Sequence, residues 1–333
     1  MKVRTLCVVG SRPQLLKVSR KWADIIVNTG QHYDKNMNDI HSPKVNYNLK
    51  ETELGKMIDK LIPILEKEKP SVCIVIGDTR STLAGTVAAS YVGVPVVHYE
   101  AGMRSGEDTV EERIRIIVDR IASTRLVTDE FCIDNLNQEG IVTNNYYVGD
   151  VMFDRMFSLF PTCSPPDHTK YKPIWKNKEK TPYCFLTLHR PELVDNKEKL
   201  EIVLKALEAT KKRFIFPIHP RTALKLKEFN LGLPKGIEVV RPMDYMDTLR
   251  HIVHAEKVVT DSGGVQRESF WLQKPTIIIR NNTEYKDILE YMGVLTGFDK
   301  KKIIEAVTSF NPRPMGHPQK GRAHERIASF FEK

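Results

Sequence analysis

The stretch Thr260-Asp261-Ser262-Gly263-Gly264-Val265-Gln266-Arg267-Glu268 guides the interpretation of the whole sequence. Residues 257–259 before it are typical of a buried strand, and residues 269–272 after it continue as a helix. A strand, a tight Gly-Gly turn and a helix start would direct free backbone N–H groups and the positive helix end to one point. Phosphate groups bind at such points, and glycines let the backbone come close to them. The alternative is an ordinary turn with Ser262 as the N-cap residue, because Gly-x-Gly-x-x-Gly is absent.

Strand-like runs alternate with helical patterns along the rest of the chain. Short β-branched and apolar runs predict strands at residues 5–9, 25–28, 72–76, 94–98, 184–188, 214–218, 237–240, 257–259 and 275–279. Apolar residues at helical spacing predict helices at 57–67, 82–91, 200–211, 246–254 and 303–310. This alternation is typical of a parallel, doubly wound α/β sheet.

The chain length of 333 residues favours two domains, because it exceeds what one hydrophobic core usually serves. The Pro-rich polar stretch at 160–169 is the best linker. We predict a Rossmann-like domain at residues 1–163 and a second one at 170–333, with the last helix able to pack on the first domain. Ligands bind outside the carboxyl ends of such strands, so two domains facing each other would form a cleft.

Composition and charge exclude several classes of protein. No run is long and apolar enough to span a bilayer, and the N-terminus does not resemble a signal peptide. The five cysteines lie far apart without metal spacing, so we expect a reduced, cytoplasmic compartment. The net charge of +9 comes from scattered lysines. Nucleic acid is therefore not expected as a partner, whereas an anionic small substrate is.

Polar turns follow the predicted strands of the first half. Arg12 and, about one helical turn later, Lys17 could both meet a phosphate, or could be solvated surface bases. Asp78 could act as a base or cap the next helix. Glu100 ends a strand and should face the cleft, whereas Glu112 opens a helix and could simply complement its dipole.

The second half carries similar turns. His189-Arg190 and His219-Pro220-Arg221 end predicted strands, where a histidine followed by arginine suits phosphate binding or proton transfer, or serves structure. Glu268 could accept hydrogen bonds from a pair of sugar hydroxyls. The sequence shows no Ser-His-Asp spacing, nucleophile elbow or metal-ligand cluster. These features favour a nucleotide-sugar enzyme whose basic turns bind phosphates and whose carboxylates perform acid–base chemistry.

These turns, in this order, resemble the non-hydrolysing UDP-N-acetylglucosamine 2-epimerases, which have the two-domain GT-B fold. The matching segments are Gly10-Ser11-Arg12-Pro13-Gln14 with Lys17, Thr29-Gly30-Gln31-His32, Gly77-Asp78-Thr79, Glu100-Ala101-Gly102-Met103-Arg104, Glu111-Glu112, Gly149-Asp150-Val151, His189-Arg190, His219-Pro220-Arg221-Thr222, Asp261-Ser262-Gly263-Gly264-Val265-Gln266 and Thr283-Glu284. In that family UDP leaves by elimination as C2 loses a proton. UDP then adds back to the bound 2-acetamidoglucal, with the proton returned to the other face.

The resemblance implies a set of site residues. The catalytic residues would be Asp78, Glu100, Glu112 and His189. The substrate and UDP contacts would be Arg12, Lys17, Arg115, Arg190, His219, Ser262, Gly263, Gly264 and Glu268. Gln31 and His32 would border a regulatory nucleotide-sugar site. It further implies a UDP-sugar as the ligand, no cofactor and no metal, a homodimer, and a place in polysaccharide biosynthesis.

Departures from the family pattern leave the sugar open. The short span from Gly10 to Gly30 predicts a clipped first helix, and Ile114 and Tyr285 replace the family's usual Asn and Arg. Residues 31–37 and 149–152 resemble the branch acting on UDP-2,3-diacetamido-2,3-dideoxyglucuronate. The sequence is also compatible with a hydrolysing 2-epimerase that releases N-acetylmannosamine and UDP, with a GT-B glycosyltransferase, and with a nucleotide-sugar binding protein. The four predicted catalytic residues together argue against the binding protein.

Overall fold

The computed structural model describes residues 3–31, 43–159, 182–312 and 321–332. The chain divides into two compact units, one combining Met1–Ser158 with Pro318–Lys333 and the other comprising Leu159–His317. Each unit holds its own parallel sheet, flanked in sequence by helices. The predicted class of two Rossmann-like α/β domains is thereby confirmed. The stretch at 160–169 lies outside the described residues.

The first unit is built on a parallel sheet of seven strands in the order β3-β2-β1-β4-β5-β6-β7. Its elements are β1 (Thr5–Val9), α1 (Arg12–Lys17), β2 (Ile25–Asn28), β3 (Tyr47–Asn48), α2 (Leu54–Glu68), β4 (Val72–Ile76), α3 (Arg80–Tyr91), β5 (Val96–Tyr99), α4 (Val110–Ile121), β6 (Thr124–Val127), α5 (Glu130–Gln138), β7 (Asn145–Tyr147) and α6 (Val151–Leu159). The helix α1 has six residues, in agreement with the clipped helix predicted from the short Gly10–Gly30 span.

The second unit repeats this plan with six parallel strands in the order β10-β9-β8-β11-β12-β13. Its elements are β8 (Cys184–Thr187), α7 (Pro191–Val194), α8 (Lys197–Ala209), β9 (Phe214–Pro217), α9 (Pro220–Glu228), β10 (Ile237–Val240), α10 (Tyr245–His254), β11 (Lys257–Thr260), α11 (Gly263–Trp271), β12 (Thr276–Ile278), α12 (Lys286–Tyr291), β13 (Gly293–Leu295) and α13 (Lys300–Ser309). In both sheets the first strand lies inside the sheet and the order reverses beside it.

The C-terminal helix α14 (Ala323–Phe331) belongs to the first unit. Its apolar face packs in the cluster that contains Cys7 and Val9 of β1. Leu6 and Val8, the alternate residues of the same strand, point into a second cluster with α2, α3 and α4. Because side chains alternate across a strand, a sheet covered on both faces requires a continuous apolar sequence, as β1 has.

The strand β6 is not predicted by the sequence pattern because a charged residue interrupts its apolar run. Arg125 of β6 is buried, and its guanidinium donates to the backbone carbonyls of Asp119, Ala122 and Thr143. These carbonyls satisfy the buried charge, so Arg125 ties the end of α4 to the sheet. The local sequence pattern does not predict these carbonyl partners of Arg125, because they lie on other segments of the chain.

The turn after β5 depends on a glycine, and we expect its replacement to destabilise the first unit. Gly102 has a φ of +76°, and a Cβ placed there would lie 2.3 Å from the Cys132 carbonyl oxygen. Gly93 has a φ of +75° but no atom within 4 Å of such a Cβ, which makes it a matched control. The left-handed backbone costs an alanine about 1–2 kcal/mol at either site. At Gly102 the overlap adds about 1–3 kcal/mol.

Scanning calorimetry measures both effects, with about 2–4 °C of melting temperature per kcal/mol for a unit of this size. Gly102→Ala should lower the melting temperature clearly more than Gly93→Ala. Equal decreases would show that the backbone around Cys132 relaxes without cost.

Candidate active site

The predicted site residues cluster where the strand order of each sheet reverses. In the first unit the reversal lies between β1 and β4, and in the second between β8 and β11. Turns that follow these strands at their carboxyl ends meet at a crevice, which is the usual ligand site of open α/β sheets. The turns after β1, β4 and β5 carry Arg12, Asp78 and Glu100, and those after β8 and β11 carry His189 and Ser262.

In the first unit the predicted phosphate ligand Lys17 pairs with the predicted catalytic residue Glu100. The Lys17 Nζ atom lies 2.6 Å from Glu100 Oε1 and 2.8 Å from Oε2. Burial raises the pKa of Glu100, and the neighbouring carboxylates Asp150 and Asp78 add to this, although Lys17 opposes it. A buried carboxyl group with a raised pKa beside an ammonium group suits an acid–base role.

Glu100 also has an uncommon backbone conformation. Its φ is +69°, in the left-handed region that a residue with a Cβ seldom adopts. The backbone N–H of Glu100 donates to the carbonyl of Leu126, and the backbone N–H of Gly77 donates to the carbonyl of Tyr99. These hydrogen bonds hold the turns after β5 and β4 against the neighbouring strands. Strained residues persist where the surroundings hold them, and they concentrate at functional sites.

The second carboxylate, Asp78, forms an ion pair with Arg115, which also contacts Glu112 at 3.1 Å. Asp78 does not cap the following helix, so the capping interpretation is wrong. The N-cap of α3 is Thr79, whose hydroxyl accepts from the backbone N–H of Thr82. Asp78 therefore has no capping role, and its carboxylate lies at the carboxyl end of β4 beside the guanidinium of Arg115.

Glu112 is the most heavily hydrogen-bonded of the predicted catalytic carboxylates. Its two oxygens accept from the backbone N–H groups of Ser105 and Gly106, from the Ser105 hydroxyl and from Arg115. The residue also lies in the first turn of α4, where a carboxylate complements the helix dipole. The dipole interpretation of Glu112 therefore agrees with its position, and its contacts hold the loop at 105–106, while its catalytic role stays a prediction.

Two buried polar groups that the sequence analysis did not single out support these turns. Gln14 accepts from Gly10 N through Oε1, and its Nε2 atom donates to the Ile76 carbonyl. His98 bridges the Asp119 carboxylate at 2.6 Å and the Gly77 carbonyl at 2.8 Å. Gln14 thus joins the turn after β1 to the end of β4, and His98 joins β5 to the turn that carries Asp78.

In the second unit the Ser-Gly-Gly turn forms the start of α11. Ser262 is the N-cap residue, and its side chain accepts from Val265 N. A Cβ at Gly263 would lie 3.3 Å from Glu284 Oε1 and 3.6 Å from Arg190 Nη2, whereas one at Gly264 would meet nothing within 4 Å. The N-cap interpretation is confirmed, and it is compatible with anion binding because other N–H groups of the first turn have no helical partner.

His189 follows β8 and faces two groups of the same unit. Its Nδ1 atom lies 3.3 Å from Asp261 Oδ1, and its ring lies 5.5 Å from the ring of His219. His219 itself is the N-cap of α9, where its Nδ1 accepts from Arg221 N. Burial lowers the pKa of His189, and His219 and Arg190 lower it further, whereas Asp261 raises it.

The remaining predicted positions within the described residues lie on α11, after β2 and at the start of α1. Glu268 lies on α11, where burial raises its pKa to about 8, although the neighbouring Tyr245 side chain opposes this shift. Gln31 accepts from the backbone N–H and hydroxyl of Ser81 at the start of α3. His32 lies outside the described residues. Arg12 opens α1, beside the turn after β1.

The fold and these turns together define an α/β protein whose two units each present charged groups at a topological switch point. The first unit presents three carboxylates with a lysine and an arginine. The second presents a histidine beside a helix N-terminus that suits an anion. Among the described residues no three His, Cys, Asp or Glu side chains are arranged to hold a metal ion. Nor does any helix in the described ranges have the length and apolarity to cross a bilayer.

Comparison with known proteins supports this class. The sequence model of the family described as "UDP-N-acetylglucosamine 2-epimerase" matches residues 16–332. A "UDP-N-acetylglucosamine 2-epimerase homolog" from Methanococcus maripaludis is 35% identical, with 94% of this chain and 93% of that protein covered. The "UDP-2,3-diacetamido-2,3-dideoxy-D-glucuronate 2-epimerase" of Pseudomonas aeruginosa is 32% identical, with 99% and 100% covered.

A solved structure gives the same result. The UDP-GlcNAc 2-epimerase of Methanocaldococcus jannaschii, in complex with UDP-GlcNAc and UDP, superposes with a TM-score of 0.79 at 33% identity. The similarity covers 98% of this chain and 99% of that one. The protein therefore belongs to the UDP-N-acetylglucosamine 2-epimerase family, as the sequence analysis predicted.

Proposed function

We propose that this protein epimerises C2 of a UDP-N-acetylated sugar, converting UDP-GlcNAc to UDP-ManNAc through elimination and re-addition of UDP. The observation that carries the proposal is the cluster at the switch point of the first unit. There Glu100 pairs with Lys17, while Asp78 and Glu112 both contact Arg115. Each carboxylate has a cation beside it, which favours its ionised form.

Inversion at C2 requires a proton to leave one face of the sugar and another to arrive on the opposite face. A single carboxylate cannot easily serve both faces, so at least two acid–base groups are required. Burial raises the pKa of Glu100, which suits a group that gives and takes a proton during the reaction. We assign Asp78 to the second acid–base role. We assign Glu112 to the same cluster, where its carboxylate also holds the 105–106 loop through hydrogen bonds.

The departing UDP needs donors for its developing charge. In the second unit the α11 N-terminus at Ser262 to Gly264 supplies backbone N–H groups, and Arg190 lies next to Gly263. His189 can donate a proton or hydrogen bond to the leaving phosphate. Glu268 is assigned to the ribose, Arg12 and Lys17 to the phosphates, and Gln31 with His32 to a regulatory nucleotide-sugar site.

The same chemistry on UDP-2,3-diacetamido-2,3-dideoxyglucuronate is the second candidate. The segments at 31–37 and 149–152 favour it, as does the full-length similarity to the Pseudomonas aeruginosa enzyme. Against it stands the similarity to the Methanocaldococcus jannaschii enzyme, whose structure contains UDP-GlcNAc. No redox cofactor or metal is required by the proposed elimination.

The function is tested by incubating the pure protein with each UDP-sugar in D₂O and recording proton and phosphorus NMR spectra. We expect deuterium at C2 and two epimeric UDP-sugars, with little free UDP. Release of UDP with free N-acetylmannosamine would instead show a hydrolysing enzyme. Transfer that occurs only after an acceptor is added would show a glycosyltransferase. Binding of UDP-sugars without deuterium exchange would show a binding protein and refute the proposal.

We also propose a homodimer. Val110, Ile117 and Ile121 lie on one face of α4 and are exposed by 58%, 44% and 43%, and Tyr91 at the end of α3 is exposed by 76%. Such a concentration of exposed apolar residues marks an interaction surface more often than scattered ones do. Light scattering on the purified protein measures the mass directly.

A further inference from the structure

Asp261 is a fully buried carboxylate at the point where β11 ends and the Ser-Gly-Gly turn begins. Its Oδ2 atom accepts from the backbone N–H groups of His189 and Arg190, both at 2.7 Å. Its Oδ1 atom lies 3.3 Å from His189 Nδ1 and has no hydrogen-bond partner among the described residues. One oxygen therefore holds the turn after β8, while the other is directed at the imidazole ring.

A buried carboxylate is costly unless each oxygen finds a donor. The structure places the Nδ1 atom of His189 beside Oδ1, at 3.3 Å. The His189 side chain is 37% exposed, so a small rotation of the ring can align an Nδ1–H with Oδ1. Hydrogen bonds of this kind are often loose before a ligand binds and tighten afterwards.

We propose that Asp261 is a positioning residue that holds His189 as the Nδ1–H tautomer and thereby leaves Nε2 as the ring nitrogen that meets the ligand. This inference rests on the proposed function, because it concerns how His189 acts during epimerisation. Asp261 itself touches no reacting atom. It links the ring to the phosphate-binding turn, since Ser262 is the next residue along the chain.

The arrangement has a chemical consequence for the leaving group. With Nδ1–H donated to Asp261, a neutral ring offers Nε2 as an acceptor, and a protonated ring offers Nε2–H as a donor. A donor at Nε2 can stabilise the phosphate oxygen as its bond to C1 breaks, and the same proton can return when UDP adds back. Asp261 favours the charged ring, whereas His219 and Arg190 on the adjoining turns disfavour it.

The substitution Asp261→Asn tests the proposal because the amide has the same shape as the carboxylate. The amide oxygen can still accept from the two backbone N–H groups, while its NH₂ group would face His189 Nδ1 as a donor. The ring would then take the Nε2–H tautomer. We expect the kcat of epimerisation to fall about 10²-fold or more, and the limb of the pH profile that belongs to His189 to move to lower pH.

Thr222→Val is the matched control. Thr222 is fully buried on α9, and its hydroxyl donates to the Leu188 carbonyl at 2.5 Å, directly before His189. Its loss should destabilise the same turn without a contact to the ring. We expect an unchanged tautomer and an unchanged shape of the pH profile in Thr222→Val.

The tautomer is read from nitrogen-15 NMR of the His189 ring, assigned with a His189→Gln variant, in the unligated protein and with UDP. A neutral ring that carries its proton on Nε2, with Nδ1 unprotonated, in the wild type would overturn the proposal without any variant of Asp261. A persistent Nδ1–H signal in a folded Asp261→Asn protein, or wild-type turnover with it, would do the same. If the wild type exchanges no deuterium into any UDP-sugar, the proposed function fails, while the NMR signal still decides whether Asp261 sets the tautomer.

Discussion

Glu100→Gln is expected to lower the rate of C2 deuterium exchange by about 10²-fold or more, the usual effect of removing a general acid or base. The reason lies in the contacts of Glu100. Burial raises the pKa of its carboxyl group, and the neighbouring Asp150 and Asp78 raise it further. Lys17 contacts both of its carboxylate oxygens. The amide of glutamine keeps the shape of the carboxyl group but cannot act as a general acid or base.

The variant should fold and still bind UDP, because its turn is held by backbone hydrogen bonds that the substitution leaves in place. UDP binding is measured by the rise in melting temperature, and exchange by NMR in D₂O. The matched control is Glu68→Gln. Glu68 pairs with Arg4, which precedes β1 at the amino end of the same sheet, so this change removes an ion pair far from the predicted site.

The comparison separates chemistry from structure. Glu68→Gln should retain near-wild-type exchange, whereas Glu100→Gln should not. If Glu100→Gln exchanges deuterium at the wild-type rate, its carboxylate is only the partner of Lys17, and the acid–base role belongs elsewhere. Asp78→Asn and Glu112→Gln, measured in the same assay, then show which carboxylate takes that role.

Ser262→Trp is expected to abolish the stabilisation of the protein by UDP. A ligand that binds only the folded state at a hundredfold excess over its Kd contributes about 2.7 kcal/mol. For a unit of this size that corresponds to about 5–10 °C in melting temperature. Ser262 is the N-cap of α11, and an indole at this position would occupy the space in front of the free N–H groups where a phosphate would bind.

The substitution also removes a helix cap, which costs about 1 kcal/mol whatever the ligand does. Asp299→Trp provides the matched control, because Asp299 is the N-cap of α13 in the same unit and accepts from Lys302 N at 3.0 Å. It should lower the melting temperature of the free protein yet leave the UDP shift intact. A full UDP shift in folded Ser262→Trp would show that the nucleotide binds away from this turn.

Much of the fold follows from short-range pattern. Strands 5–9 and 72–76 are predicted at their observed bounds, because strands buried on both faces must be apolar throughout. The edge strand 237–240 is also predicted at its observed bounds, although Glu238 and Val239 are exposed. Helix positions follow from the spacing of apolar residues, although ends move by up to three residues where N-caps such as Asn196 and Asp299 extend them. The pattern does not predict β3, β7 and β13, since their two or three residues carry little periodic signal, nor β6, whose apolar run Arg125 interrupts.

The turns that carry polar residues are also readable in the sequence, because glycines and charged residues after apolar runs mark the carboxyl ends of strands. Which of these polar residues contact each other cannot be predicted from the local sequence. That Lys17 contacts Glu100, 83 residues away, depends on β1 and β5 flanking β4 in one sheet. The contact of Asp261 with His189 depends in the same way on β8 pairing with β11, with Thr260 opposite Thr187. Local sequence sets which groups stand at the strand ends. Long-range strand pairing sets which of them come into contact. It therefore decides that Glu100 pairs with Lys17, that Asp261 lies beside His189, and which pKa values are shifted.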